Sequence, residues 1–432
     1  MLKTTFLTGE YPPMQGGIAD HIAYLAGHMT PLGVESTVLI HQRWQQTGPV
    51  ITATARTEAV ASEAVVHAVI PEWGRRCWPA ITGFLKTQQP DVLHIQYQAA
   101  AFDLGGWINW LPLYLKTQRL KTRLVTTFHD LRVPYLFPKA GPLRWWSMLA
   151  LARHSHAVIC TNRDDLQTLR RQIRKHGLHA TTFLNALTGA DRSEVAASQT
   201  SRSPRLTLIP LGSNVEPQPP ADFDRTAWRK TYRATAATLL LAYFGFLNES
   251  KGGEELIEAL ALLRQHGLDA HLLLIGGDIG HADPTNVDYA RRVQALIERH
   301  GLAAFVHRTG YVDLAQVSAN LLAADAVVMP YRDGVSFRRT TLIAALRHGC
   351  PVVSTTPADA SLAPEIVPGE NMLLASPRDA IALAQALVTL AEDRRLRTRL
   401  AAGANQLGAL FDWTTIAAET AALYRAVTSS AS

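Results

Sequence analysis

Apolar residues run along this chain in short continuous stretches, and the segments between them carry apolar positions at helical spacing. Leu2 to Thr8 reads as a buried strand, and after a loop holding Gly16 and Gly17 the residues Ile18, Ile22, Leu25 and Met29 share one face of a helix. The same alternation predicts strands at 36–40, 65–70, 92–97, 124–128, 157–161 and 206–210. Between them, 104–115 has helical spacing that Pro112 breaks, and 163–176 forms a polar-faced helix. The proline-rich stretch from Gly212 reads as a stiff, extended linker, after which the pattern starts again. Strands follow at 239–246, 271–276, 306–311, 324–329 and 352–355, and helices at 379–390, 394–407 and about 413–427 close the chain. Strands apolar on both faces, alternating with helices, predict α/β units with parallel sheets. Two such units facing each other would form a cleft between their strand ends, where open sheets of this kind bind ligands.

The candidate chemistry gathers at those strand ends. The stretch Pro330 to Pro351 joins a strand to a helix through a loop with Gly334 and Ser336; the helix is predicted to begin near Phe337 and to end at Gly349. Arg338 and Arg339 then fall in its first turn, where the helix dipole disfavours cations, and a bound anion would remove the conflict. Lys251, ahead of Gly252 and Gly253 at another helix start, can hold a phosphate as a point charge, or can be a solvated loop lysine. His129 ends the strand 124–128, and Gly310-Tyr311-Val312 ends another. The paired glycines Gly16 and Gly17 admit close backbone approach to an anion or sugar, but equally make a plain tight turn.

Composition narrows the class. The 432 residues are 47% apolar with a net charge of +6, enough for two or three folded domains. The excess charge is not gathered into a nucleic-acid type run, so a phosphorylated substrate or an anionic membrane face fits better than nucleic acid. Trp107, Trp110 and Tyr114 beside Lys116, Arg119, Lys121 and Arg123 could rest on such a surface or belong to a helix packed on the sheet. Three scattered cysteines, Cys77, Cys160 and Cys350, argue against a disulfide framework or zinc knuckle and predict a reducing, cytoplasmic setting. The apolar run at the N-terminus is too short for a signal-peptide core, and no run reaches the ~18 apolar residues of a membrane span.

Taken in order, these motifs resemble the retaining family-4 glycosyltransferases of the GT-B fold, over nearly the whole chain. Gly16-Gly17-Ile18 resembles that family's glycine loop, and His129 of Thr-Phe-His-Asp its histidine at an N-domain strand end. The segment 244–252 is similar to its Gly-Arg-Leu-x-x-x-Lys-Gly motif, and 367–374 to a late Gly-x-Asn-Gly-Leu-Leu turn. The helix opened by Trp413 resembles the one that returns to the N-domain. The implied domains are a Rossmann-like acceptor-side unit at 1–213 joined by helix 412–428, a linker at 214–236, and a Rossmann-like nucleotide-sugar unit at 237–411. Two departures stand out: Ser336 and Ala344 occupy the positions of the family's paired glutamates, and Phe246 that of an arginine facing the diphosphate. Asp333 could replace a glutamate only if the loop is built differently. The resemblance implies a hexosyltransferase-like enzyme moving a sugar from a nucleotide sugar to a saccharide or lipid-linked acceptor, with retention and no metal or other cofactor. It further implies polysaccharide or glycolipid synthesis at the inner membrane face. His129 and Lys251 would be catalytic; Gly16, Gly17, Tyr311, Ser336, Phe337, Arg338 and Arg339 would bind the donor. The missing glutamates also admit a non-catalytic homologue that binds a nucleotide or scaffolds a partner.

Overall fold

The computed structural model describes residues 1–12, 14, 17–44, 51–52, 64–131, 142–176, 204–277 and 284–429. Gly16, most of the loop 134–146, nearly all of the polar loop 188–205 and Asp278 lie outside the described residues. The chain divides into two compact units, 1–211 with 413–432, and 212–412.

In unit 1 the order is β1 Leu2–Leu7, α1 Gly17–Met29, β2 Val34–His41, β3 Ile51–Thr52, β4 Val65–Ile70, α2 Cys77–Gln88, β5 Val92–Tyr97 and α3 Trp107–Thr117. It continues with β6 Arg123–Phe128, α4 Pro142–His154, β7 Ala157–Cys160, α5 Arg163–His176 and β8 Arg205–Leu208. Among the described residues the sheet runs β3-β4-β2-β1-β5-β6-β7-β8, parallel except where β3 meets β4. Strand order reverses between β1 and β5, so the carboxyl ends of these two strands form the switch point. Gly9 follows β1 there, and a Cβ on it would come 1.7 Å from the Ala101 carbonyl oxygen, so the close approach of the two loops requires glycine. α3 continues through Pro112, where the sequence predicted a break. It lasts only 11 residues, and Ile108 and Leu111 before the proline and Tyr114 and Leu115 after it pack against the core.

Unit 2 holds α6 Arg225–Thr231, β9 Leu239–Phe244, α7 Gly253–Gln265, β10 Ala270–Ile275, α8 Pro284–Arg299, β11 Val306–Arg308, α9 Leu314–Ala323 and β12 Ala326–Met329. Then come α10 Thr340–Arg347, β13 Val352–Thr355, β14 Leu373–Ala375, α11 Ala380–Glu392 and α12 Arg394–Gly408. The last helix of the chain, α13 Trp413–Ser429, belongs to unit 1. The described sheet of unit 2 is all parallel in the order β11-β10-β9-β12-β13-β14, and its order reverses between β9 and β12.

Three further segments differ from the reading of the sequence. The stretch 214–236 is not simply extended: α6 is capped by Asp224, whose carboxylate accepts from the Ala227 N–H. Its Arg229, with a side chain only 5% exposed, donates to the carbonyls of Ala323, Thr235 and Thr238 and to Asp325. Those bonds fasten the helix to the starts of β9 and β12, and proline content alone could not reveal them. The strand predicted at 306–311 stops at Arg308, because Gly310 turns at φ 64° and pairs antiparallel with Gly276. The helix expected from Phe337 starts at Thr340, three residues later.

Candidate functional site

In unit 1 the site is built at the carboxyl ends of β5 and β6. His129 follows β6, its backbone N–H bound to the Tyr97 carbonyl at 3.0 Å. Its Nε2 lies 2.7 Å from Gln96 Oε1. An amide oxygen only accepts, so the ring proton sits on Nε2 and Nδ1 carries a lone pair. Burial, and after it the rings of His21 and His94, hold the His129 pKa well below the ordinary histidine value, so the imidazole is neutral at physiological pH. A neutral imidazole held in one tautomer can accept a hydrogen bond from a hydroxyl without repelling a developing cation.

The residues behind His129 were not singled out in the sequence. Gln96 also approaches the His94 ring, at 3.3 Å from Nε2, and His94 meets Thr127 Oγ1 at 2.7 Å and the Tyr424 hydroxyl at 2.5 Å. Burial lowers His94 to about 3 and His21 to about 4. A cavity of about 10 Å³ beside His21, His94 and Thr127 is too small for a sugar, so His94 positions Gln96 and touches no substrate. His21 packs edge-on against His129, ring centres 5.0 Å apart, and Tyr24 stacks on Trp413 at 5.2 Å and 8°. His21, Tyr24 and His28 occur at i, i+3 and i+7, so one aromatic face of α1 was readable from spacing; its partner Trp413, far away in sequence, was not. Gly17 is described as the first residue of α1, with open space where a Cβ would stand.

In unit 2 the carboxyl ends of β9 and β12 bring Lys251, Arg339 and two helix starts together. Gly252 has φ 72°, and a Cβ on it would lie 1.9 Å from the Pro330 carbonyl oxygen. That contact locks the Lys251 loop against the loop following β12. Lys251 Nζ donates to the Phe246 carbonyl at 2.9 Å, and burial, followed by the charge of Arg339, lowers its pKa to about 8. A Cβ on Gly245 would sit 3.1 Å from Thr341 and 3.3 Å from Lys251 Nζ, which places the start of α10 beside the lysine. Neither Gly252 nor Arg339, the residues that open α7 and α10, caps its helix with a side chain; in α7 the Tyr289 hydroxyl accepts from the Glu254 N–H at 3.0 Å, and the other first-turn N–H groups of both helices stand at this switch point.

The arginines stand differently from the prediction. Arg338 precedes the helix and is exposed, while Arg339 occupies the capping position, so neither lies in the first turn. Arg339 is paired with Asp333 and rests 4.0 Å above the Tyr331 ring. The conflict with the dipole is therefore relieved within the protein, and Asp333 is engaged by Arg339 instead of taking a glutamate's place. Arg332, unremarked in the sequence, is held by Glu249, Glu254 and Glu255 and has a structural role. Phe337 packs its ring 5.1 Å from Phe411, so its contribution is to anchor the loop. Ser336 is half-buried, and Ala344 is fully buried inside α10. Phe246 is 48% exposed and Tyr311 78% exposed. Tyr311 follows β11, two strands from β9, about 10 Å across the sheet. In the late turn, Asn371 binds the Val367 N–H and the Glu365 carbonyl, shaping its own loop.

Among the described residues no group of three or more His, Cys, Asp or Glu is placed to hold a metal ion, and no helix is long and apolar enough to cross a membrane.

Residues 238–393 match the family model described as glycosyl transferases group 1, and residues 16–181 match the glycosyl transferase 4-like domain. The chain is 25% identical to a glycogen synthase of Mycobacterium tuberculosis, covering 98% of this chain and 95% of that one. It is 24% identical to the same organism's GDP-mannose-dependent alpha-(1-6)-phosphatidylinositol monomannoside mannosyltransferase, covering 98% of each. Among solved structures, sucrose-phosphate synthase from Thermosynechococcus elongatus superimposes with a TM-score of 0.69 at 20% identity over all of both chains. Anabaena HepE in complex with UDP and glucose gives 0.66 at 18% identity, over 99% of this chain and all of that one. The two parallel-sheet units are those of the GT-B fold shared with these structures.

Proposed function

Because this chain belongs to the glycosyltransferases, residues 238–393 matching glycosyl transferases group 1 and residues 16–181 the glycosyl transferase 4-like domain, we propose that it moves a sugar from a nucleotide diphosphate to an acceptor hydroxyl with retention at the anomeric carbon. The observation carrying this reading is the junction of Lys251 with the starts of α7 and α10 at the β9/β12 switch point. Negative charge on the diphosphate grows as the glycosidic bond breaks. Donors fixed in advance around it therefore stabilise the transition state more than the bound substrate. Lys251 supplies a full charge and the two helix starts supply backbone N–H groups, with Arg338 and Arg339 at the edge. That set meets the diphosphate without a metal ion. Gly310-Tyr311 borders the nucleotide base. His129, neutral and held by Gln96, accepts a hydrogen bond from a hydroxyl of the transferred sugar.

The relatives' names include a GDP-mannose-dependent enzyme acting on a phosphatidylinositol mannoside and a glycogen synthase. They support a saccharide or lipid-linked acceptor in polysaccharide or glycolipid synthesis; peripheral contact at an anionic membrane face is read from Trp107, Trp110 and Tyr114 beside the basic residues 116–123. Incubation with a panel of nucleotide sugars, following nucleoside diphosphate release with and without such acceptors, tests the assignment. Acceptor-dependent release that persists in a chelator, with NMR of the product showing the donor's anomeric configuration, is the expected result. A second reading is favoured by Ser336 and Ala344 at the glutamate positions: a homologue that binds nucleotide without turning over. Donor binding with no release under any acceptor would establish it over the first.

A further inference from the structure

The proposed chemistry leaves unused a strongly basic recess in unit 1. It lies at the amino ends of β5, β6 and β8, roughly 20 Å along the six residues of β6 from the end that carries His129. The ends of α3, α4 and α13 complete its walls. Its volume is about 590 Å³, within the ~300–1,000 Å³ of small-molecule sites. Lys116, Arg119, Arg123, Arg153 and Arg205 line it, and the described lining includes neither Asp nor Glu. The floor is apolar, with Pro112, Leu115, Leu120 and Val427.

Elsewhere in the protein, arginines gathered at one place meet carboxylates, as Arg229 meets Asp325 and Arg332 meets three glutamates. In the recess, Lys116 Nζ instead donates to His154 Nδ1 at 2.8 Å, and Arg123 reaches His156 Nε2 at 3.1 Å. His154 is a neutral acceptor, whereas His156 Nδ1 accepts from the Leu124 N–H, so its Nε2 carries the proton and gives Arg123 no acceptor. His154 ends α4, where the dipole favours an imidazolium, yet burial and the charges of Lys116 and Arg153 hold its pKa down to about 4. Burial first, and the two neighbouring cations after it, keep the ring neutral. Dipole pairing accounts for Lys116 and Arg153, in the last turns of α3 and α4. It does not account for Arg119, beyond the end of α3, or for Arg123 and Arg205, which open β6 and β8.

We propose that this recess binds a phosphate-bearing ligand with an apolar portion, the phosphate between Lys116 and Arg119 and the apolar part against Pro112, Leu115 and Val427. The inference does not depend on the donor site or on catalysis. Its test uses the whole protein and calorimetry with soluble dihexanoyl phosphatidic acid and with inorganic pyrophosphate. The double variant Lys116→Ala/Arg119→Ala, at two exposed positions, should weaken phosphatidate binding about tenfold or more, since each removes a charged hydrogen-bond donor. Arg394→Ala/Arg395→Ala on α12 should leave it unchanged. Addition of the phosphatidate should also raise the His154 titration in NMR. Should the double variant unfold, Arg119→Glu alone serves the same comparison. Sedimentation with phosphatidylcholine vesicles, with and without phosphatidic acid, identifies the source. Charge-dependent sedimentation lost in the double variant assigns a lipid headgroup, whereas binding of the soluble compound without sedimentation assigns a free phosphorylated ligand. Absence of binding by either soluble probe, or equal losses in the double variant and the α12 control, would overturn the proposal.

Discussion

Lys251 should make donor binding depend on pH in a range where few other groups titrate. Its pKa of about 8 means that it is charged below that pH and neutral above it. A bound diphosphate favours the charged form and restores the pKa toward the ordinary lysine value near 10.4, so binding above pH 8 must take up a proton. From pH 7 to pH 9 the charged fraction of the free protein falls from about nine-tenths to about one-tenth, and affinity should fall roughly tenfold. The nucleotide sugar's diphosphate has no proton to lose in this range. His21 and His94 stay neutral throughout, titrating near 4 and 3. Calorimetry at pH 8 in buffers of different ionisation enthalpy should record about half a proton taken up per donor bound. Lys251→Met should abolish the uptake and weaken binding at pH 7 by about 1.5–3 kcal/mol, the range for a hydrogen bond to a charged group. Lys251→Arg should remove the pH dependence. Equal wild-type affinity at pH 7 and pH 9, with no proton uptake, would refute the assignment of Lys251 to the diphosphate.

His129→Ala should lower kcat by two orders of magnitude or more, about the scale of a positioned polar group, while leaving the urea midpoint nearly unchanged; full activity would sink its role. Gln96→Leu should reduce kcat more than it changes KM, because it frees the His129 tautomer without removing the ring. Gly252→Ala should destabilise unit 2 by about 1–3 kcal/mol in a thermal melt, since the added Cβ meets the Pro330 carbonyl in a left-handed conformation. Arg229→Ala should cost about 1–3 kcal/mol in urea unfolding by leaving three carbonyls without their donor, while Asp325 keeps Arg225 and the Leu240 N–H; a loss below 0.5 kcal/mol, about the scale of an unremarkable surface substitution, would count against the clamp.

Much of the fold was legible because periodicity is local. Continuous apolar runs such as 239–244 and 272–275 announce strands buried on both faces, and glycines at their ends announce turns. Segment boundaries were less legible. The start of α10 was misjudged by three residues because Phe337 looks helical in pattern, but its ring is taken up by Phe411. The structure of 214–236 was hidden because the bonds of Arg229 reach residues up to 96 positions away.

The sequence by itself determined the two α/β units, the order of their glycine loops, and the residue types available for an anion site, because backbone conformation and side-chain charge are properties of short stretches. Only the tertiary structure decided which of those charges remain available. Arg339 and Arg332 both end at carboxylates, Lys251 keeps an uncommon pKa through burial, and His129 receives its tautomer from Gln96 with His94 and Tyr424 behind it. Such partnerships join residues as far apart as 94 and 424, and burial depends on what the rest of the chain packs around a group. Neither is written in the neighbouring letters.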